Sequence, residues 1–192
     1  MPVRLDTGER RTPAISTGPA DARRAAVLAL VVPMDDGPDP EAGIVLIRRA
    51  DRGGVHSGDV ALPGGRAEPE DADAAATALR EAVEEIGLDV ESAGVRVVGE
   101  LETFWIPVSD YRVTPVVAVA SRLPVLRAAP DEVAGIVIAP LGAFAADAPI
   151  ELVETTIRGF ALRFGAYPVA GLRVWGATAR ILGQLGAVLG PA

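Results

Sequence analysis

The chain has 192 residues, 49% of them apolar, no cysteine and a formal net charge of −8. That length suits one domain with a core large enough to fold unaided, and the missing cysteine excludes disulfides, thiolate metal sites and cysteine nucleophiles. The acidic balance argues against a nucleic-acid backbone as the main partner and against unaided binding of an anionic substrate, a conflict that a divalent cation would resolve locally.

Residues 1–22 carry Pro, Gly, Thr and charge without periodicity, and read as a flexible or loosely docked arm ahead of a domain over 23–190. The arm has no apolar stretch ending in a cleavage site, and the run from Ala25 is too short to cross a bilayer. A cytoplasmic protein with no membrane partner is the expectation. "RAAVLALVVPM" reads as a buried strand, "DDGPDPEAG" as a turn and "IVLIRRA" as a second strand closing a hairpin-like pair. A glycine-rich loop, "DRGGVHSGDVALPGG", follows.

The next segment predicts a helix. Asp71 and Asp73 are N-cap candidates, Ala74–Ala76 and Leu79 are strong helix formers, and Gly87 is a natural left-handed terminator. Leu79, Val83 and Ile86 recur at helical spacing as an apolar stripe, which would turn Glu81, Glu84 and Glu85 away from the core. "VRVVGEL" (95–101) and "YRVTPVVAVA" (111–120) read as strands, and "EVAGIVIAPLGAF" (132–144) as a strand or a short helix. "IRGFALRFGAYPVAGLRV" (157–174) suggests a late hairpin. The closing "WGATARILGQLGAVL" predicts an amphipathic helix with Ala177, Ile181, Leu182, Leu185 and Val188 on one side. Strands and helices mix without regular βαβα alternation, and there is no internal repeat.

At about 100° per residue, Glu84 lies roughly 60° to one side of Glu81 and Glu85 about 40° to the other. Three carboxylates on one patch repel, and the helix C-terminus disfavours anions. Mg²⁺ or Mn²⁺ would hold them ionised, since hard cations take oxygen ligands together with waters and substrate phosphates. With one histidine and no cysteine, zinc and copper are disfavoured. Arg80 stands four before Glu84 and is placed to pair with it. A solvated acidic face would explain "REAVEE" alone. The sharp "LPGG" turn in front of it brings backbone groups close to a ligand and favours a site.

Gly65, the acidic residues after it and Arg80-Glu81-Ala82-Val83-Glu84-Glu85-Ile86-Gly87-Leu88 resemble the Nudix box, G-x5-E-x7-R-E-U-x-E-E-x-G-U, where U is a bulky aliphatic. Ala82 replaces one bulky residue, Gly65 to Arg80 is one residue too long, and the expected Glu falls among Asp71, Ala72 and Asp73. The coenzyme A diphosphatase branch of the Nudix family is similar in that respect. Its upstream pattern resembles Arg49-Ala50, His56-Ser57-Gly58-Asp59-Val60 and Leu62-Pro63-Gly64-Gly65, and "VTPVVA", "PDEVAGI" and "VWGATARIL" extend the likeness downstream. Gly54 stands where that branch has a second Arg, and Leu62 replaces a Phe, both within the substrate-signature region.

The resemblance implies an α/β fold, a Nudix-type α/β/α sandwich around a mixed β-sheet. It implies Mg²⁺- or Mn²⁺-dependent hydrolysis of a diphosphate, in coenzyme A or a derivative, to 3′,5′-ADP and phosphopantetheine. Glu81, Glu84 and Glu85 would be metal ligands, with Gly64 or Gly65 adding a backbone carbonyl. One of the glutamates or Glu132, a carboxylate in the "PDEV" loop, would be the base. Arg49 and Arg66 flank the glycine loop and suit phosphate contacts; either is equally read as a surface charge. His56, the only histidine, reads as a loop-packing or substrate-contact residue, because neighbours in "HSGD" do not converge as a triad. The expected partner is a nucleotide-diphosphate small molecule, with a homodimer left open. Hydrolysis of ADP-ribose or a nucleoside triphosphate, or a catalytically silent nucleotide sensor, are the alternatives. Trp175 and the apolar residues after it read as core.

Overall fold

The computed structural model describes residues 3–4, 18–51, 59–107, 109–157 and 160–190. Gly54 and His56 lie outside the described residues. The alternating apolar run of strand β2 (Arg23–Pro33) sends Ala26, Leu28, Leu30 and Val32 into one core cluster and Ala29 into another. Strand β2 is therefore buried on both faces, as a central strand must be. It runs parallel to β8 (Tyr111–Ala120) from Arg23↔Tyr111 to Val31↔Val119. It forms the expected hairpin with β3 (Ala42–Arg49), though only Val31–Pro33 takes part.

Strands β4 (Val60–Ala61) and β9 (Val133–Pro140) pair with β3, and β5 (Gly64–Arg66) pairs with β2. Strands β6 (Val95–Glu100) and β7 (Phe104–Ile106) pair with β8. The result is a mixed eight-stranded sheet. A four-stranded sheet joins β1 (Val3–Arg4), β10 (Glu151–Ile157), β11 (Phe160–Val169) and β12 (Leu172–Val174). The predicted late hairpin is β11–β12, turning at Ala170 and Gly171, both at positive φ. Segment 132–144 is both of its alternatives: β9, then a 3₁₀ helix at Leu141–Phe144.

Helix α1 (Ala74–Ile86) covers one face of the large sheet and α2 (Gly176–Leu189) the other, which is the expected α/β/α sandwich. Asp73 caps α1 by accepting from Ala76 N at 2.8 Å, and Gly87 ends it at φ 61°. The apolar stripe of α1 holds at Ile86, which is buried, and at Leu79, which packs half-buried against the core, but not at Val83. Val83 is exposed, and the buried face is Thr77, Ala78, Ala82, Glu85 and Ile86. Two alanines let the helix sit close to Ala26 and Leu28 of β2, so the helix is rotated by about one residue from the face that side-chain bulk suggests. On α2, Val188 is likewise exposed, while Ile181, Leu182 and Leu185 are buried as expected. Trp175 is half-buried rather than core: its ring stacks on Phe164 at 4.9 Å and its Nε1 donates to Asp59 at 3.2 Å. Among the described residues no helix is long and apolar enough to cross a membrane.

Candidate active site

Strand β5 consists of the glycine pair and Arg66, and the pair sets how closely α1 approaches. Gly64 has φ 147°, where a Cβ would lie 2.4 Å from Ala26 O and 2.5 Å from Val27 Cα. Only glycine fits there. A Cβ on Gly65 would lie 2.5 Å from the carboxylate carbon of Glu81. The turn thus brings bare backbone against the helix carboxylates, and Gly64 N–H donates to Glu85 Oε2 at 2.9 Å.

This arrangement corrects the expectation that the three glutamates point outward together. Glu85 is buried at 3% exposure. The Glu81 side chain is largely covered, and only Glu84, with a side chain 57% exposed, faces solvent. The cause is the rotation of α1: with Ala78 and Ala82 against the sheet, position 85 falls on the inner arc and its carboxylate needs a polar pocket, which Gly64 supplies.

Arg80 organises the outer side. Its Nη1 bonds Glu84 Oε2 at 3.0 Å, the expected pair, and also Glu81 Oε1 at 3.1 Å. The larger commitment is to Asp71, held by Nε and Nη2 at 3.1 Å each, while Nη2 also donates to Arg66 O at 2.9 Å. Asp71 further accepts from Glu68 N and from the buried Thr77 Oγ1, both at 2.9 Å. The Arg80 hydrogen bonds, first of these, hold the Asp71 carboxyl well below its usual range, and Asp71 in turn holds Arg80 charged. The sequence reading offered Asp71 only as a cap. Its nine-residue separation from Arg80, across a loop and into a helix, has no periodic signature.

Burial pushes the Glu85 carboxyl up to about 7, with Glu81 and Glu132 adding repulsion and Gly64 N–H and Arg49 opposing it. Burial also raises Glu81; Arg80 opposes that, and Glu84 and Glu132 add to it. Arg49, at the end of β3, and Glu132 therefore stand within electrostatic reach of Glu85. Backbone contacts fix them: Ala129 N and Arg127 N donate to the carbonyls of Glu85 and Ile86, clamping the 121–132 loop onto the last turn of α1. Ala50 N then donates to Glu132 O, joining that loop to the end of β3.

The remaining candidates sort differently. The Arg66 side chain is exposed, and the residue serves the cluster through its carbonyl. Leu62 is 2% exposed and belongs to the core cluster holding Val60, Phe144 and Leu182, so its departure from Phe concerns packing rather than substrate contact. Among the described residues no three acidic or histidine side chains stand close enough to enclose a cation as placed, and Glu84 is bonded to Arg80. The donor chemistry still fits a hard divalent ion. Glu81 and Glu85 offer carboxylate oxygens beside bare glycine backbone, and burial with mutual repulsion raises both carboxyls in a way that a cation would reverse.

A family model, described as the NUDIX domain, matches residues 22–152. The Arabidopsis thaliana protein "Nudix hydrolase 15, mitochondrial" is 36% identical over 166 residues, 83% of this chain and 56% of that protein, so the chain spans little more than half of its length. "Uncharacterized Nudix hydrolase NudL" of Shigella flexneri is 33% identical over 178 residues, 93% of this chain and 88% of that protein. Among solved structures, the Nudix hydrolase RenU of M. smegmatis superposes with a TM-score of 0.60 over 88% of this chain and 86% of that one, at 21% identity, a likeness of fold.

Proposed function

This chain belongs to the NUDIX domain family, whose hydrolases act on phosphorus-containing anhydrides, and we propose that its substrate is the diphosphate of coenzyme A or a derivative. The observation that carries the catalytic reading is the buried Glu85 carboxylate on Gly64 N–H, with Glu81 over Gly65 and Glu132 and Arg49 within electrostatic reach. Mg²⁺ or Mn²⁺ held by Glu81 and Glu85, with Glu84 at the rim, would neutralise diphosphate oxygens and acidify a water.

The chain's own residues supply the rest. The glycine pair brings bare backbone against the carboxylates of α1. Arg80 holds Glu81 and Glu84 in place, and Arg49 offers a guanidinium to a phosphate oxygen. A water oxygen forms a bond to phosphorus as the bridging P–O bond breaks. The leaving phosphate takes the electron pair, and Glu132 or a helix glutamate takes the water's proton. The products are 3′,5′-ADP and phosphopantetheine.

The coenzyme A assignment rests on the "HSGDV", "LPGG" and "VWGATARIL" resemblance, and the burial of Leu62 supports reading that departure as a change of packing. Gly54 in place of Arg supports the second reading, ADP-ribose or a nucleoside triphosphate. Incubation with each substrate at millimolar Mg²⁺ or Mn²⁺, with products identified by mass, tests both. 3′,5′-ADP from coenzyme A supports the first. Preferential cleavage of another nucleotide supports the second. Tight binding with no product from any of them would make the protein a silent sensor and sink the enzymatic reading.

A further inference from the structure

A small polar cavity lies on the α1 side of the large sheet, at the opposite end of the helix from Glu85. It has a volume of about 40 Å³ and is lined by Arg24, Ala25, Ala26, Ala67, Ala74, Thr77, Arg112 and Thr114. Strands β2 and β8 run parallel here, with Arg24 directly beside Arg112 and Ala26 beside Thr114. Adjacent strands stand about 4.8 Å apart, so two guanidinium groups spring from neighbouring positions on one face.

In a chain of net charge −8 a carboxylate partner would be easy to supply. Yet no carboxylate pairs with Arg24 among the described residues. The nearby acids are committed elsewhere: Asp71 to Arg80 and Thr77, and Asp73 to the cap of α1. The alanine walls keep the space between helix and sheet open. Thr114 shares its hydroxyl with Thr103 at 2.9 Å, and Arg112 anchors through Nη2 to Pro19 O at 2.5 Å, so the polar rim is held in place.

We propose that this cavity is a binding site for a tetrahedral oxyanion, phosphate or the phosphate end of a larger molecule, held between Arg24 and Arg112 with Thr114 at its rim. Volume decides the class. A water needs roughly 10–15 Å³ of such space, so the cavity of about 40 Å³ has room for about three waters or one tetrahedral anion. Two planar guanidinium groups suit phosphate oxygens. The site is separate from the carboxylate cluster and needs no metal, so it stands or fails independently of the hydrolase reading.

The test is phosphate binding to the full chain in EDTA, in the Glu85→Gln background, followed by ³¹P line broadening and by thermal denaturation. Inorganic phosphate should bind saturably and raise the melting temperature. Arg24→Gln should weaken that binding at least tenfold, Arg24→Gln/Arg112→Gln should abolish it, and Arg96→Gln, an exposed arginine on β6, should leave it unchanged. Because Arg112 also anchors Pro19, the single Arg24→Gln variant keeps the test valid if the double variant folds poorly. AMP binding as tightly as phosphate assigns the site to the phosphate end of a larger molecule, and phosphate binding at least tenfold tighter assigns it to the free ion. Absence of phosphate binding by the parent, or equal binding by Arg24→Gln, overturns the proposal.

Discussion

Replacing Glu85 by glutamine should make the metal-free protein more stable at alkaline pH while removing its activity. The carboxyl of Glu85 is raised from 4.5 to about 7 in the fold. For a carboxylic acid raised in this way, the stability contributed by the protonated form is fully present below about pH 4.5 and is lost as the pH rises through about 7. That rise corresponds to at most roughly 3 kcal/mol at about pH 8. Glutamine removes the charge and keeps an oxygen for Gly64 N–H, but buries an amide NH₂ whose missing partner costs about 1 kcal/mol. The net gain is roughly 2 kcal/mol, or about 4–8 °C in melting temperature for a domain of this size. Thermal denaturation in EDTA at about pH 8 and pH 5, followed by circular dichroism, measures it. The variant should melt higher at pH 8, and the advantage should disappear at pH 5. A variant less stable than the parent at both pH values would show that Glu85 is not a strained anion and would refute the reasoning.

Glu81→Gln and Glu85→Gln should each lower kcat by at least about a hundredfold with the fold intact by circular dichroism, whereas Glu84→Gln, whose carboxylate is exposed and shared with Arg80, should lower it less. Gly65→Ala pushes a methyl into the Glu81 carboxylate and should reduce turnover at least tenfold with a small change in melting temperature. Gly64→Ala meets the Ala26 and Val27 backbone and should destabilise the fold far more, which a thermal melt of the two variants compares directly. Asp71→Asn weakens the bidentate hold on Arg80, so a lower melting temperature and several-fold slower turnover are expected together.

Much of the scaffold was legible because local chemistry and tertiary role agree. Asp73 and Gly87 bound α1 in sequence and in structure, and the runs at β2 and β8 have the length and branching of strands. The rotation of α1 was not legible. Val83 outranks Ala78 and Ala82 in hydrophobicity, but closeness to the sheet selects the small residues, and that depends on β2, far away in sequence. The inward turn of Glu85 follows from the same rotation and from Gly64, whose amide becomes available only once β5 has paired with β2. Strand β5 itself was hidden because two of its three residues are glycine, which signals a loop. Strand β10, "ELVETTI", was missed between weak turn signals, and its place depends on pairing with β11. The link from Asp71 to Arg80 needed the loop's path, which no spacing rule supplies.

Binding of Mn²⁺ to the apoprotein at about pH 7.5, read by the loss of the free-ion electron paramagnetic resonance signal, bears most directly on the carboxylate pair against the glycine turn. Saturable uptake by the parent protein that weakens at least tenfold in Glu85→Gln is the predicted result. No uptake by the parent, or equal uptake by both, would contradict it.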